Sequence, residues 1–260
     1  MPRIRIAVLP LLALLCGGCF HMTTVLKVNG EGAGTIDHRM VFTNAALAQL
    51  RQLAAFAGAR GMTFDPLSEQ QARDMASVIG PGVTYISSRP VATGDGQGRE
   101  STYAYADVTQ LKISTQPATP QGVRAPGLSE SEGVTFSLTR EAGGSAVLHI
   151  HVPEPNWIGS IGTLNASGQL TTIKTLLAGA RILLAVEPEG ALVRTTSPYV
   201  DGRRVTLLEV DLDEILKDDT LLGRLSAAKT QEEVNEIMKH AAGLKINLDR
   251  EITIEFAPGK

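Results

Sequence analysis

TTVLKVNGEGAGTIDHRMVF, residues 23–42, contains two strand patterns separated by a glycine-rich segment. Apolar and β-branched residues recur in Thr23–Val28 and again in Thr35–Phe42, as in strands that bury one face. Glycine permits the positive φ angles of a tight turn, so the segment between them predicts a hairpin. Its glycines do not indicate a phosphate loop, because that loop lies between a strand and a helix.

An apolar run that closes on a cysteine lies before this hairpin. Residues 11–19 read LLALLCGGC, and Arg3 and Arg5 supply positive charge ahead of them. A charged start followed by a short apolar core is typical of a signal peptide. The run is shorter than the roughly 20 apolar residues of a transmembrane helix. We therefore predict a cleaved leader over residues 1–18.

Cys19 is the predicted site of lipid attachment. Gly17–Gly18 offer an unhindered cleavage site in front of it, and this pattern resembles a bacterial lipobox, whose cysteine carries a diacylglyceryl group. Two acyl chains anchor a protein stably. Residues 19–22 then form a short lipidated tether in the cell envelope, facing the periplasm or the exterior. Because Phe20 rather than aspartate follows the cysteine, the outer membrane is favoured.

Cysteine content and charge exclude several classes of function. Cys16 leaves with the leader and Cys19 is consumed by lipid, so the mature chain has no disulfide, thiolate nucleophile or cysteine metal ligand. The full chain has a formal net charge of −3, and the leader removes two of its cations. A mildly acidic chain argues against nucleic acid as a partner, since that calls for a basic patch.

Two helical patterns follow the hairpin. The first runs from Asn44 to about Ala57 and ends at Gly58. The second begins at Ser68, where the sequence Ser-Glu-Gln-Gln fits a capping box, and stops at Gly80. We expect the two to form a helical hairpin over a sheet.

Most of the remaining chain has strand patterns. A phase break near Asp107 predicts a β-bulge in one strand, and short helices are predicted after Asp211 and Thr230. The fold class that follows is α+β, a mostly antiparallel sheet with a helical hairpin near the N-terminus and short helices near the C-terminus. The predicted strands are residues 83–89, 102–114, 133–140, 146–152, 180–187, 191–195, 203–210 and 246–256.

Residues 115–131 contain three prolines among glycine and polar residues, which predicts an exposed loop or linker. It separates an N-terminal part, residues 23–114, from a β-rich C-terminal part, residues 132–260. We expect the two parts to share one sheet.

Three short motifs, taken with the lipobox, resemble the LppM-type envelope lipoproteins. They are VNGEGAGT at residues 28–35, VEPEGALV at 186–193 and VDGRRVTL at 200–207. In that family a Pro-x-Gly turn and an Asn-Gly or Asp-Gly turn separate strands, the last of which ends in tryptophan. Leu207 or Leu208 stands at that position here. The resemblance implies a mixed α and β envelope domain that holds lipid or glycolipid, and it brings no catalytic residues.

The best candidate metal ligands are His149 and His151, which strand alternation places on one face. A zinc site needs three or four ligands, and the other histidines lie on unrelated elements. We therefore interpret the pair as a polar strand face and predict no metal. Asp211–Glu214 indicates a helix N-terminus rather than a calcium loop, since the glycine and distal glutamate of an EF-hand are missing.

No motif for a nucleophile elbow, a zinc protease or a nucleotide loop occurs in the chain. We predict a protein without catalytic residues or cofactors. A carboxylate-based hydrolase is the enzymatic alternative, because carboxylate pairs converge only in the fold.

The apolar residues Trp157, Ile158, Ile161 and Leu164 lie in a segment too glycine-rich for a helix and too irregular for a strand. They either pack down as a cap on the sheet, or form a contact with ligand or membrane. Together these features predict a membrane-anchored envelope lipoprotein that acts as a non-catalytic binding or accessory module for lipid or glycolipid. The alternative is a structural or assembly lipoprotein that acts through protein contact.

Overall fold

The computed structural model of the protein describes residues 20–48, 51, 65, 67–113, 133–141, 144–153, 179–228, 230–247 and 249–257. These ranges form a mixed α and β fold whose strand pairs are mostly antiparallel, which confirms the predicted fold class. Within them no helix has the length and apolar character needed to cross a membrane.

Strands are numbered in chain order. The described strands are β1 (Phe20–Val28), β2 (Gly34–Thr43), β3 (Thr84–Ala92), β4 (Gly96–Tyr105), β5 (Lys112–Ile113), β6 (Val134–Arg140), β7 (Ala146–His151), β8 (Arg181–Pro188), β9 (Leu192–Thr195), β10 (Val200–Asp201), β11 (Arg204–Asp211), β12 (Leu244–Ile246) and β13 (Glu251–Phe256).

The described helices are numbered in the same way. They are α1 (Glu69–Ile79), α2 (Leu212–Lys217), α3 (Asp219–Ala227) and α4 (Gln231–Lys239). Residues 44–48 are also helical, and they are the start of the first predicted helix. The Thr43 hydroxyl accepts a hydrogen bond from the Ala46 amide at 3.2 Å, which caps that start.

The larger sheet, called sheet A, has the strand order β10-β11-β8-β1-β2-β4-β3, with β12 also paired to β11. The predicted hairpin is confirmed: β1 and β2 pair antiparallel, with Phe20 opposite Phe42 and Val28 opposite Gly34. β1 begins at Phe20, three residues before the predicted start. On its other side it pairs in parallel with β8, so β1 lies in the middle of the sheet.

The smaller sheet, called sheet B, has the order β5-β6-β7-β13-β9. The predicted strands over residues 133–140 and 146–152 are confirmed as β6 and β7, which pair antiparallel as a hairpin. One apolar core joins the facing sides of both sheets to the helices. Its largest fully buried side chains include Leu26, Ile36, Tyr103, Leu148, Ile254 and Phe256.

Three helix caps stand where the sequence predicts them, whereas the first helix is capped by Thr43 and not by Asn44. The Ser68 hydroxyl accepts a hydrogen bond from the Gln71 amide at 3.2 Å at the start of α1. The Asp211 carboxylate accepts from the Asp213 and Glu214 amides at 3.1 and 3.3 Å, so this acidic run is a helix N-terminus. At α4 the capping oxygen belongs to Thr230.

Close approach of strands explains one glycine of the hairpin. A Cβ atom on Gly34 would lie 1.9 Å from the Lys27 carbonyl oxygen and 2.7 Å from the Tyr105 hydroxyl oxygen. The Tyr105 hydroxyl donates a hydrogen bond to that carbonyl at 2.6 Å. Gly32, in the turn itself, has a φ of +87°, as the predicted turn requires.

The predicted strand over residues 102–114 is wrong in its second half. β4 ends at Tyr105, and the Asp107 carboxylate accepts a hydrogen bond from the Thr109 amide at 2.9 Å. This contact starts a 3₁₀ turn, Val108–Gln110, in place of the predicted bulge, and the chain then enters sheet B as β5.

The predicted final strand over residues 246–256 is also divided. β12 ends at Ile246 in sheet A, and β13 begins at Glu251 in sheet B. Between them the buried Asn247 amide donates to the carbonyl oxygens of Thr206 and Leu207 at 3.0 and 3.1 Å. Those carbonyls lie at an irregularity in β11, and the contact fixes the point at which the chain changes sheet.

Candidate functional site

The two faces of sheet A differ in chemistry. Residues paired across neighbouring strands share a face, so Leu26, Ile36 and Tyr103 lie together on what we call the inner face. All three are buried in the common core. The opposite face carries ion pairs, among them Lys27 with Asp37 at 2.8 Å.

Burial along the inner face decreases toward the end at which β1 begins. Leu26 and Ile36 have no exposed surface, whereas Phe20, Met40 and Phe42 are only half-buried. β1 and β2 each have a neighbouring strand on both sides. Their half-buried side chains are therefore exposed at the face or at the end of the sheet, and not at a sheet edge. We call this half-buried end of the inner face the inner-face recess, a name that refers to burial alone. It is lined by Phe20, Met22, Thr24, His38, Met40 and Phe42.

Helices lie on both sides of the recess. α1 covers the part of the inner face formed by β3 and β4, and the Tyr103 hydroxyl donates to the Ala72 carbonyl at 2.8 Å. α4 contacts β12, toward the other edge of the sheet. Arg99 stands opposite Met40, and its guanidinium donates to the Leu67 carbonyl at 2.9 Å and the Ser88 hydroxyl at 2.6 Å. These two contacts keep the Arg99 guanidinium on the β3 side of β4, away from β1.

One polar group interrupts the apolar lining. The Thr24 hydroxyl and His38 Nδ1 are 2.9 Å apart, and Ser101 follows on β4 in the same register. Thr24 and Ser101 are buried, while His38 keeps some accessible surface. Removal from water lowers the pKa of His38 to about 4. The imidazole is therefore neutral at neutral pH.

Several predicted site residues lie outside the described part of the chain. These are the lipidation site Cys19 and the apolar residues Trp157, Ile158, Ile161 and Leu164. Their roles stay predictions. β1 begins at the residue directly after Cys19, so the half-buried end of the recess is the end next to the predicted anchor.

His149 and His151 stand on the face of sheet B that points away from the core. His151 Nδ1 lies 2.8 Å from a Glu251 carboxylate oxygen, and His149 Nε2 lies 3.4 Å from the Thr139 hydroxyl. Their cross-strand neighbours on this face are polar, including Ser137 and Thr253. Across the residues that the structure describes, no three histidine, cysteine or carboxylate side chains cluster as metal ligands would.

Sequence reasoning did not single out His38, Thr24 or Ser101. A signal was present, because Thr24 and His38 fall in the same alternating phase as the buried Leu26 and Ile36. A polar residue in the buried phase of a strand predicts a polar contact inside the fold. The strand register was needed to bring the three residues together.

Comparison with known proteins gives a distant similarity. No protein family model matches the sequence, and no curated protein matches it. Among solved structures, the chain has a distant similarity to the NMR structure of the folded domain of Mycobacterium tuberculosis LppM. The similarity covers 94% of this chain and 92% of that one, with 9% sequence identity and a TM-score of 0.36.

Proposed function

We propose that this protein is a lipid-anchored envelope protein that holds an acyl chain of a membrane lipid or glycolipid in the inner-face recess. The observation that carries the proposal is that the half-buried apolar surface begins at Phe20, one residue after the predicted anchor Cys19.

The lining suits a hydrocarbon chain. Ligand sites are mostly apolar with a few polar groups, and the recess combines two phenylalanines and two methionines with the pair of Thr24 and His38. Methionine side chains are flexible and adapt to a chain of irregular shape. Each methylene removed from water contributes about 0.8 kcal/mol, so a chain needs to enter by only a few carbons to bind.

Its position suits a ligand that comes from the bilayer. Consecutive Cα atoms are about 3.8 Å apart, so a lipid on Cys19 would hold the start of β1 at the membrane surface. The half-buried end of the recess would then face the headgroups, while the sealed end at Leu26 and Ile36 would point away. An acyl chain could enter without crossing bulk water.

The alternative is a structural lipoprotein that acts through protein contact. Among the described residues, the large exposed apolar side chains are Val78, Ile86, Val193 and Val200, and these belong to four different elements. Single exposed apolar residues are normal on protein surfaces. The recess therefore favours the binding module.

Binding of a labelled lipid to paired charge variants tests the proposal. Among the described residues the core cluster runs from Leu26 to Phe256, so the chain is prepared without its predicted leader and with Cys19→Ala. The probe is phosphatidylglycerol with a pyrene-labelled acyl chain, presented in vesicles of unlabelled phosphatidylcholine. We expect saturable transfer of pyrene to the wild-type fold, and a loss of at least about tenfold in Phe42→Glu. Phe42 has only Phe20 and Gln97 opposite it in the sheet, and a charge without a partner is costly in an apolar site.

Arg39→Glu is the matched control, since Arg39 lies on the same strand as Phe42 but is exposed on the opposite face. It should bind the probe as the parent chain does. Circular dichroism checks that both variants fold. Absence of saturable binding in the parent chain, or equal binding by the two variants, would overturn the proposal and leave the structural alternative.

A further inference from the structure

A cluster of five hydrogen-bonding side chains joins α1 to the neighbouring strands of sheet A. Glu69 and Arg73 belong to α1, Tyr85 and Ser88 to β3, and Arg99 to β4. We call these residues the α1 cluster. The side chains of its glutamate and its first arginine are 48% and 53% exposed, so solvent reaches the cluster directly. Two arginines and one glutamate give it a formal charge of +1, in a chain whose net charge is −3.

The hydrogen bonds within the α1 cluster converge on one oxygen atom. The Tyr85 hydroxyl donates to Glu69 Oε1 at 3.1 Å, and Arg73 Nη2 donates to the same atom. Because the tyrosine proton is used there, the serine hydroxyl is the donor in the 2.8 Å contact between Ser88 and Tyr85. The serine oxygen in turn accepts from Arg99 Nη1 at 2.6 Å. A chain of donors therefore runs from the Arg99 cation to Glu69 Oε1.

The position of this oxygen atom favours negative charge. The pKa of the Glu69 carboxyl lies below its ordinary value, first because Arg73 and then because Tyr85 donates a hydrogen bond to the charged form. The charge of Arg99 adds a smaller contribution in the same direction. The Arg73 guanidinium carbon also lies 4.4 Å from the centre of the Tyr85 ring, which places this cation over the tyrosine.

The α1 cluster has more donors than one carboxylate can use. An arginine carries five N–H groups, and the described contacts of Arg99 use two of them, one on Ser88 and one on the Leu67 carbonyl. A phosphate group brings more acceptor oxygens than a carboxylate and matches the planar fork of arginine. Glu69 is a half-exposed surface side chain, so a phosphate from outside can take its place.

We propose that the α1 cluster is a binding site for the phosphate group of a phosphate ester, and that Glu69 occupies the site when no phosphate is bound. A phosphate oxygen takes the position of Glu69 Oε1 and accepts hydrogen bonds from Arg73 and Tyr85. The ester is either a soluble molecule or the headgroup of a phospholipid. The cluster lies on the β3 side of β4 and not in the inner-face recess, so the site does not depend on the proposed function.

Titration with glycerol 3-phosphate, followed by ¹⁵N NMR of the arginine Nε groups, tests the site. The protein is the Cys19→Ala chain without its predicted leader, in a buffer free of phosphate. We expect the Nε resonances of Arg73 and Arg99 to shift saturably, whereas glycerol at the same concentrations should shift neither. Arg73→Gln should weaken binding by about fivefold, read from the Arg99 resonance, as expected for loss of one exposed ion pair.

Glu69→Gln gives a readout that a purely structural cluster would not. Glutamine brings no negative charge to compete with the phosphate, so the affinity for glycerol 3-phosphate should rise by about fivefold. Glu100→Gln is the matched control. Glu100 also accepts a hydrogen bond from an exposed arginine, Arg89, but it stands opposite Arg39 on the other face of sheet A. This variant should keep the parent affinity.

Vesicles distinguish the two sources of phosphate. Binding of the parent chain to phosphatidylglycerol vesicles that is weakened in Arg73→Gln would assign the site to phospholipid headgroups. Equal binding of the two chains to these vesicles, together with the shifts caused by glycerol 3-phosphate, would assign it to soluble phosphate esters. Absence of saturable shifts with glycerol 3-phosphate, or an affinity that Glu69→Gln leaves unchanged, would overturn the phosphate site and leave the proposed function as it stands.

Discussion

His38 shows how burial alone sets the charge of a side chain. Its one described hydrogen-bond partner is the neutral Thr24 hydroxyl, and desolvation lowers its pKa to about 4. In the unfolded chain the pKa would be near 6.5. Below that pH the unfolded state binds a proton that the folded state does not. Proton binding at His38 therefore leaves the free energy of unfolding unchanged above about pH 6.5 and lowers it progressively as the pH falls from 6.5 toward 4.

His38→Gln should flatten the pH dependence of stability. Between pH 7.5 and pH 4.5 we expect the wild-type chain to lose up to about 3 kcal/mol of unfolding free energy through this group, and the variant to lose correspondingly less. Urea unfolding at the two pH values measures the difference. His149→Gln, on the outer face of sheet B, should keep the wild-type dependence. Parallel pH profiles for wild type and His38→Gln would contradict this account.

Residue type alone predicts only part of the site. Cys19 stands out because its neighbours form a motif, and His149 and His151 stand out because of their spacing. His38 has neither signal, and its partners Thr24 and Ser101 come from other strands. A site assembled across strands becomes visible only when the register is known.

Elements with local signals are the ones that the sequence predicts well. The hairpin of β1 and β2 depends on a turn and alternation within one short segment, and the start of α1 depends on Ser68. The division of residues 246–256 depends instead on Asn247 contacting carbonyls of β11, some distance back in the chain. No local pattern contains that information.

Ser68→Ala should destabilise the fold by about 1 kcal/mol, the usual effect of losing an N-cap. The cost arises because the Gln71 amide loses the oxygen that accepts its hydrogen bond at 3.2 Å. Chemical unfolding of the chain measures it. Ser77→Ala is the matched control: it removes an exposed hydroxyl near the other end of α1 and should stay within about 0.5 kcal/mol of wild type. Equal effects of the two substitutions would show that the cap contributes nothing.

At the scale of the whole molecule, hydrophobic periodicity does not predict which strands pair with one another or to which sheet each strand belongs. Alternation identifies β1 and β8 separately, but their parallel pairing joins segments from opposite halves of the chain. Periodicity also does not predict how the strands are divided between the two sheets. β8 and β10 lie in sheet A, but β9 between them pairs with β13 in sheet B. Long-range pairing depends on which apolar faces pack together, and the local pattern of a single sequence does not contain that information.

Cys19→Ala should abolish partition of the protein into membranes while leaving its fold intact. The reason is that the predicted anchor is a covalent lipid, while the core cluster of the described residues runs from Leu26 onward. Detergent phase separation of wild-type and variant protein measures partition, and far-UV circular dichroism measures the fold. A variant that still enters the detergent phase would refute the lipobox interpretation.

The predicted leader and the central position of β1 together predict an order of events during export. β1 would leave the translocation machinery first, and its parallel partner, residues 181–188, would follow only after most of the chain. Pairing between distant segments forms late, so β1 keeps an open side throughout this interval. The enzymes that would acylate and cleave at Cys19 need an extended, accessible substrate, and the adjoining strand offers one until β8 arrives. The strand order therefore predicts that maturation at Cys19 would precede closure of the sheet.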